Sequence, residues 1–315
     1  MTCHNCRIEC KRNGKNRKGE QRYACQQCHK RFTEPREDPL DGMYLPMDQA
    51  ETILRLLVEG NSISSIERIT DVHHSTILKL LVLAGARCER LLEDKIQGID
   101  VTDVQADELW SFIQKKEGHK WPWEANDAEI GDSYCFIAIE RNFKLILAWH
   151  MGRRTKADTE EFTGKLRRAT SEKTFQLTTD GFKPYVAAVK ADLGDKVDFA
   201  QLIKVYTQDP EGQRRYSPPD VTSAEKVPVF GNPDPAKICT SHVERQNLTI
   251  RMGNRRYTRL TNAFSKKWIN HKAMQALHIA YYNLCRKHQT IKMTPAMAAG
   301  IADHIWSVRE LLDAA

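Results

Sequence analysis

The sequence predicts an α/β protein in which a mixed β-sheet flanked by helices follows a small cysteine-rich module and an all-helical segment. Three observations lead to this fold class. Paired cysteines lie near the start of the chain, helical apolar periodicity comes next, and β-branched stretches then alternate with helical ones. A chain of 315 residues is long enough for two or three such domains.

The basic residues are unevenly distributed along a chain whose formal net charge is +7. Residues 1–34 contain nine Lys or Arg and three acidic residues, and residues 245–302 contain eleven Lys or Arg and none that are acidic. Two basic stretches indicate a polyanionic partner that touches more than one domain, with a merely solvated basic surface as the alternative. Charge alone does not separate DNA from RNA.

The apolar segments are too short to indicate a membrane protein. No run approaches the roughly 20 residues that a membrane helix needs, and the start of the chain lacks the apolar core of a signal peptide. We therefore expect no membrane contact and a cytoplasmic, nucleoid-associated protein. Nine cysteines in that compartment argue against a disulfide framework.

Residues 1–34 are expected to form a zinc ribbon. Two Cys-x2-Cys pairs stand eighteen residues apart, a spacing typical of a closed structural zinc site with the ligands Cys3, Cys6, Cys25 and Cys28. The hairpin between the pairs is basic, and its candidate DNA contacts are Lys15 and Arg17. A ribbon that binds protein instead of DNA is the alternative.

Residues 35–46 are expected to be a linker, because residues 35–42 hold two prolines, a glycine and four charges. Residues 47–96 then show helical periodicity and predict a helix-turn-helix. Its buried faces would include Ile53, Leu54, Leu57 and Val58 in the first helix and Ile77, Leu78, Leu81 and Val82 in the last.

The last of these helices would lie in the major groove of DNA, where residues of its first turns contact base edges. The candidates are His73, His74, Ser75, Thr76 and Lys79. A plain helical spacer is the alternative for the whole segment. The adjacent histidines are interpreted as capping or phosphate-binding residues and not as a metal site.

Residues 100–292 are expected to form the sheet. Strands are predicted at 101–113, 133–140, 144–151, 174–179 and 200–206, with helices at 155–170 and 184–193. This order, β-β-β-α-β-α-β, is typical of a ribonuclease-H-like domain. Residues 208–237 hold six of the twelve prolines and predict an irregular insertion, helices return at 240–251 and 265–288, and residues 293–315 form a helical tail.

Three acidic residues are candidates for holding two divalent metals: Asp107, Asp180 and Glu244. Cleavage of a phosphodiester by in-line attack is commonly assisted by two such ions roughly 3.5–4 Å apart. Asp107 lies within the first strand and Asp180 at the end of a later one, so we expect both at the same sheet edge. Glu108 and Asp103 are rivals for the first position. Strand alternation places Asp103 on the same face as Asp107 and Glu108 on the other face.

Glu244 lies on a predicted helix, where residues three and seven positions later share its face. Those residues are Asn247 and Arg251. A carboxylate, an amide and a guanidinium on one helical face suit a metal beside a phosphate.

Three blocks of the sequence resemble the transposases of insertion sequence one. They are residues 107–110, Asp-Glu-Leu-Trp; residues 179–185, Thr-Asp-Gly-Phe-Lys-Pro-Tyr; and residues 242–251, which include Glu-Arg-Gln-Asn-Leu. Residues 259–266 look like the basic Phe-Ser-Lys segment of that family. The resemblance covers nearly the whole chain. Two features differ from the family: the proline-rich stretch is longer than in compact members, and the two halves that the family often encodes in overlapping reading frames lie here in one uninterrupted frame.

The resemblance implies a DNA transposase whose Asp/Asp/Glu triad falls on Asp107, Asp180 and Glu244. It implies structural Zn²⁺, catalytic Mg²⁺ or Mn²⁺, and double-stranded DNA, both terminal inverted repeats and target, as the partner. Because two element ends must be joined, we expect a homodimer or a larger assembly. The DNA contacts in this half of the chain would be Arg245, Asn247, Arg251, Arg255, Arg256 and Arg259.

Three other functions fit the sequence, although the last, zinc-dependent RNA binding, has only the basic ribbon in its favour. An inactive or domesticated relative acting as a repressor needs the first 95 residues but not the triad. A metal-dependent nuclease of the same fold would use the same carboxylates to cleave DNA without joining it.

Overall fold

The computed structural model describes residues 1–3, 6–16, 19, 21–33, 40–206, 221–258 and 261–314. The chain divides into two compact units, Met1–Leu45 and Pro46–Ala315. Part of the predicted linker and residues 207–220 of the proline-rich stretch lie outside the described residues, as do Arg17 and Arg259.

The first unit is a three-stranded antiparallel sheet. Its strands are β1 (Lys11–Lys15), β2 (Gln21–Ala24) and β3 (Arg31–Thr33), with β2 in the centre. Its small core is built around buried cysteines and two partly buried rings, those of Tyr23 and Phe32.

The second unit begins with three helices, α1 (Met47–Val58), α2 (Ile63–Thr70) and α3 (His74–Lys95). All four residues of the predicted α1 stripe are buried. In α3 the buried face is shifted by a residue or two from the predicted one. Ile77 and Leu81 are buried as predicted, but the other predicted positions, Leu78 and Val82, are not, and Leu80 and Ala84 are buried in their place. Leu78 and Val82 lie on the flank of the helix and are half-buried.

A mixed six-stranded sheet follows, and the prediction of a mixed sheet flanked by helices is confirmed. Its strands are β4 (Asp103–Ile113), β5 (Gly131–Glu140), β6 (Ile146–Gly152), β7 (Phe175–Asp180), β8 (Val197–Tyr206) and β9 (Val221–Phe230). Their spatial order is β6-β5-β4-β7-β8-β9. The strands β4, β7 and β8 run parallel, and the other neighbours are antiparallel.

Strand β9 differs from the irregular structure predicted for the proline-rich stretch. It pairs with β8 alone and forms one edge of the sheet. Pro228 is opposite Ala200 in this pairing. An edge strand tolerates proline because the N–H that proline lacks would lie on the unpaired side or at a local irregularity. The register of β9 does shift beside this position.

The remaining helices are α4 (Lys156–Ala169), α5 (Pro184–Asp192), α6 (Ser241–Gly253), α7 (Trp268–Ala280), α8 (Pro295–Ala298) and α9 (Val308–Asp313). A π-helical turn, Tyr281–Cys285, extends α7. Side chains alternate between sheet faces, so Gln105 and Asp107 of β4 face α6, whereas Glu108 faces the side of α4 and α5. None of the described helices combines the length and apolar character needed to cross a membrane.

Helix α7 connects the three-helix segment to the sheet. A Cβ atom on Gly85 of α3 would lie 2.5 Å from the Cα of Ala273, so the two helices approach within backbone contact there. On α7, the buried His271 ring lies 2.8 Å from the hydroxyl of Ser111 on β4. The three helices and the sheet therefore form one packed body.

Candidate active site and metal centres

Asp107 and Asp180 lie side by side on neighbouring parallel strands. The register of β4 and β7 pairs Gln105 with Thr178, and two further residues bring Asp107 level with Asp180. Oxygen atoms of Asp107, Glu108 and Asp180 all lie within 4.8 Å of one another. Two of the three acids predicted from the sequence are thus close together where β7 ends beside the middle of β4.

The Asp107 carboxylate is held from two directions. Asn247 of α6 donates its side-chain amide to Asp107 Oδ2 over 2.8 Å, and the backbone amide of Glu108 donates to Oδ1 over 2.8 Å. Burial, followed by the negative charge of Asp180, raises the pKa of Asp107 to about 7. A cation placed beside this carboxyl group would favour its charged form and lower its pKa.

Glu108 lies on the opposite side of β4, as alternation predicts, but its carboxylate still reaches the acid cluster. Its side chain is 3% exposed, and burial together with the charge of Asp180 raises its pKa to about 8. Arg154, from the loop between β6 and α4, donates to it over 3.0 Å. The same guanidinium donates to Asp180 Oδ2 over 3.2 Å.

Glu244 lies on the wall of the same cleft without belonging to the close acid cluster. Its carboxylate is paired with Lys204 of β8 and accepts a hydrogen bond from Thr240 Oγ1 over 2.5 Å. Helix α6 is positioned by Gln105, whose buried side-chain oxygen accepts a hydrogen bond from the His242 amide over 2.9 Å. A polar residue of β4 therefore fixes the start of the helix that carries Glu244.

The cleft between these elements has a volume of about 950 Å³. Its polar lining includes Asp107, Asp180, Glu244, Asn247, Arg154, Lys204 and Arg251. Of the remaining predicted DNA contacts, Arg245 is exposed, and Arg255 and Arg256 are half-buried. The cleft therefore brings acidic residues and cationic side chains to one surface.

Arg154 and Lys204 were not among the residues predicted from the sequence. The sequence marks them only by position. Arg154 follows β6 and Lys204 lies near the end of β8, on the side of the sheet where Asp180 lies. Loops and strand ends at such an edge often carry functional residues. Pairing with an acid distant in the sequence is not visible in either local pattern.

The donor set of the cleft fits a divalent metal ion. Three carboxylates within 4.8 Å repel one another, and after burial the charge of Asp180 is the next cause of the raised pKa of Asp107. A cation would relieve this repulsion. Mg²⁺ and Mn²⁺ prefer oxygen ligands of this kind. Asp107 and Asp180 would be the first ligands, with Glu244 next to them on the cleft wall.

The four predicted zinc ligands converge in the first unit. The sulfurs of Cys3, Cys6, Cys25 and Cys28 all lie within 4.8 Å of one another. In each pair the second cysteine donates its backbone amide to the first sulfur over 3.5 Å. A hydrogen bond from the Cys28 amide is the first cause that lowers the pKa of Cys25 to about 6, whereas burial and the neighbouring sulfurs raise that of Cys6 to about 12. The convergence of four sulfurs is what fits a thiolate-bound metal.

The start of α3 exposes most of the residues predicted to read DNA. His73, His74, Ser75 and Lys79 are exposed, and Thr76 is half-buried. His73 accepts a hydrogen bond from the Ser75 amide over 3.3 Å as the N-cap, and the Glu67 carboxylate accepts one from the His74 amide over 2.9 Å. The contact of His73 agrees with the capping role predicted for it. The His74 ring contacts the Glu67 carboxylate and does not cap the helix, and ligand atoms of Glu67, His73 and His74 lie within 4.8 Å of one another. In the first unit, Lys15 is also exposed.

Comparison with known proteins leaves the family open. No family model and no curated protein matches the sequence. Among solved structures, the cryo-EM structure of a piggyBac transposase synaptic complex with hairpin DNA matches 84% of this chain and 69% of its own. The sequence identity is 10% and the TM-score is 0.35, and a similarity at this level identifies neither a shared fold nor a shared function.

Proposed function

We propose that this protein is a DNA transposase that cuts DNA at element ends and joins them to target DNA with divalent metal ions. The observation that carries the proposal is the level pairing of Asp107 and Asp180 in a cleft that Glu244 also lines. Arg154, Lys204 and Arg251 supply positive charge in the same cleft, as a bound phosphodiester requires.

We infer that the sheet is ribonuclease-H-like. The antiparallel β4, β5 and β6 followed by the parallel β7 and β8, with α4 and α5 in the connections, supports this assignment. We likewise assign the first unit as a zinc ribbon and helices α1–α3 as a helix-turn-helix. The four convergent sulfurs support the first of these assignments, and the exposed polar start of α3 supports the second.

Each residue of the cleft has a distinct proposed role. Asp107, Asp180 and Glu244 would hold Mg²⁺ or Mn²⁺, and Asn247 would keep the Asp107 carboxylate oriented. The chemistry that such ions supply when bound is neutralisation of charge on the attacking and leaving oxygens of an in-line displacement. The protein supplies position and electrostatic stabilisation, with no covalent intermediate on a side chain.

The DNA would contact basic and polar residues of both units. Arg245, Arg251, Arg255 and Arg256 would bind phosphates, and Arg259 would add another phosphate contact. His73, His74, Ser75 and Thr76 would read the repeat while Lys79 binds a phosphate beside them, and Lys15 and Arg17 would add contacts from the ribbon. Two element ends must be joined, so we propose a homodimer or larger assembly on DNA. Light scattering that finds one chain per end-bound complex would contradict this assembly.

The proposal is tested with the purified protein and a DNA fragment that carries the repeats flanking its gene. With Mg²⁺ or Mn²⁺, the wild type should nick the repeat tips and form joined products, whereas Asp180→Asn should bind the fragment without cutting it. Asp195→Asn changes an exposed carboxylate after α5 and is the matched control. Cleavage without joining would favour the nuclease, and specific binding without chemistry would favour the repressor.

A further inference from the structure

We propose that Arg154 moves between the Asp180 carboxylate and a DNA phosphate, so that binding of a divalent cation and binding of DNA strengthen each other. This inference rests on the proposed function, since it concerns regulation of the same cleft. It assigns a positioning role to a residue that lies outside the Asp/Asp/Glu set.

Arg154 is held at both ends of its guanidinium, but by acids in different environments. Nε donates to Glu108 Oε2 over 3.0 Å, and a terminal nitrogen donates to Asp180 Oδ2 over 3.2 Å. The Glu108 side chain is 3% exposed, whereas that of Asp180 is 34% exposed. The arginine side chain itself is 40% exposed and lines the cleft.

This asymmetry determines which contact gives way. The Glu108 carboxyl group is buried, so water cannot replace Arg154 as its hydrogen-bond donor, and the contact with Glu108 is retained. Asp180 lies open to the cleft and has another possible partner, because it belongs to the cluster that fits a divalent cation. A cation on Asp180 therefore displaces only the terminal nitrogen of Arg154.

The displaced nitrogen has a surface on which to remain ordered. The guanidinium carbon lies 4.2 Å from the ring centre of Phe182, and the Phe182 backbone amide donates to Asp180 Oδ1 over 3.0 Å. An aromatic ring beside a guanidinium holds this planar set of donors in place, which suits a phosphate. Arg154 would thus face the cleft with free donors once a cation holds Asp180.

The two binding events are then linked. If a cation frees Arg154 for a phosphate, a phosphate that holds Arg154 must free Asp180 for a cation by the same factor. Coupling between sites is commonly between fivefold and 150-fold in affinity. A phosphate contact that is independent of metal would show no such linkage.

The experiment uses the full-length protein, a short duplex with one terminal repeat, and the variant Arg154→Gln. Duplex affinity is measured by anisotropy in EDTA and in Ca²⁺, which takes oxygen ligands as Mg²⁺ does. In EDTA, we expect the variant and the wild type to agree within about twofold, because the arginine is held by the acids. In Ca²⁺, we expect the variant to bind at least about fivefold more weakly.

Titration of the DNA-free protein with Mn²⁺ gives the second measurement. Arg154→Gln should bind Mn²⁺ at least about fivefold more tightly than the wild type, because a competitor for Asp180 is gone. Lys183→Gln is the matched control, since Lys183 is exposed, lines the same cleft and carries the same charge. The control should change Mn²⁺ affinity by less than about twofold, the size of a screened surface charge.

Loss of Arg154 leaves Glu108 buried beside the vacated position, so the double variant Glu108→Gln/Arg154→Gln is prepared as well. It removes both charges, keeps Asp180 and should reproduce the weaker duplex binding in Ca²⁺. Equal weakening of duplex binding in EDTA and in Ca²⁺, or equal Mn²⁺ affinities of Arg154→Gln and Lys183→Gln, would overturn the coupling. Cleavage by the wild type would leave the proposed function intact in that case, whereas a wild type that binds no duplex would overturn both.

Discussion

Asn247 and Asp107 are joined by a 2.8 Å hydrogen bond between the side-chain amide of α6 and the carboxylate of β4. Asn247 is 3% exposed, so water does not compete strongly for its amide. The bond connects the helix that carries Glu244 to the strand that carries Asp107. It therefore aligns two parts of the proposed metal site that are distant in the sequence.

Replacement of Asn247 by Ala should weaken metal binding without unfolding the protein. Hydrogen-bond partners of metal ligands commonly contribute about 10- to 100-fold to metal affinity or activity. We expect a loss in that range, measured as the Mn²⁺ concentration that gives half-maximal cleavage and by Mn²⁺ titration. Leu248→Ala, a change to an exposed residue of the same helix, should behave like the wild type. Unchanged Mn²⁺ binding by Asn247→Ala would exclude this orienting role.

The stability of the metal-free protein should depend on pH through Asp107. Its pKa of about 7 in the folded protein exceeds its ordinary value of 3.8, because of burial and then the charge of Asp180. The folded state therefore binds this proton more tightly, and the stabilisation is complete below pH 3.8 and lost as the pH rises through 7.

Asp107→Asn removes this titration. At pH 8 in EDTA we expect the variant to exceed the wild type in free energy of unfolding by more than about 1 kcal/mol, since one pKa unit corresponds to about 1.4 kcal/mol. Below about pH 4 the two should agree. Thermal unfolding across this pH range measures the difference, and Asp195→Asn is the control. A constant difference at all pH values would show that the carboxyl is not responsible.

Zinc should be bound by four cysteines and not by a fifth that lies among them. Cys28→Ser removes one of the four converging sulfurs, so we expect the purified variant to lose its zinc and the fold of Met1–Leu45. Cys10→Ser alters a buried cysteine of the same core that lies outside the group. Elemental analysis should find one zinc per chain in Cys10→Ser, and its absence there would contradict the assigned ligand set.

Two exposed residues of α3 should differ in what they contribute to DNA recognition. Ser75→Ala should weaken binding of the repeat about tenfold and leave a scrambled duplex unaffected, because it removes a base contact. Lys79→Gln should weaken both duplexes equally and lower the salt dependence by about one ion, because it removes a phosphate contact. Lys190→Gln, on the exposed side of α5, is the control. Equal weakening of both duplexes by Ser75→Ala would show that Ser75 contacts the DNA backbone and not a base.

Local patterns were sufficient to predict most of the elements. Apolar periodicity predicted α1, and alternating β-branched and aromatic residues predicted β4, β5 and β6 within a few residues. The nearness of Asp107 and Asp180 followed from strand order, because parallel pairing brings the end of β7 level with the middle of β4, where Asp107 lies. Strand β9 could not be predicted in this way, since Pro228 argues against a strand unless the strand is known to lie at an edge.

Contacts between distant residues account for the rest of the site. Arg154 meets Asp180 across 26 positions and Lys204 meets Glu244 across 40, and no periodicity records either pairing. Glu108 was assigned by alternation to the opposite face, which is correct for the strand, but a long carboxylate beside a strand end still reaches its neighbours. Such proximity follows from tertiary packing alone.

The backbone contact of Gly85 with Ala273 and the contact of His271 with Ser111 join α3 to the strand that carries Asp107. Under the proposed function, this connection keeps the start of α3 and the acidic cleft at a fixed distance from each other. A duplex that contacts both sites of one chain must then bend or twist to match this distance. Bases that no side chain touches would consequently be selected by how easily the DNA between the two contacts deforms.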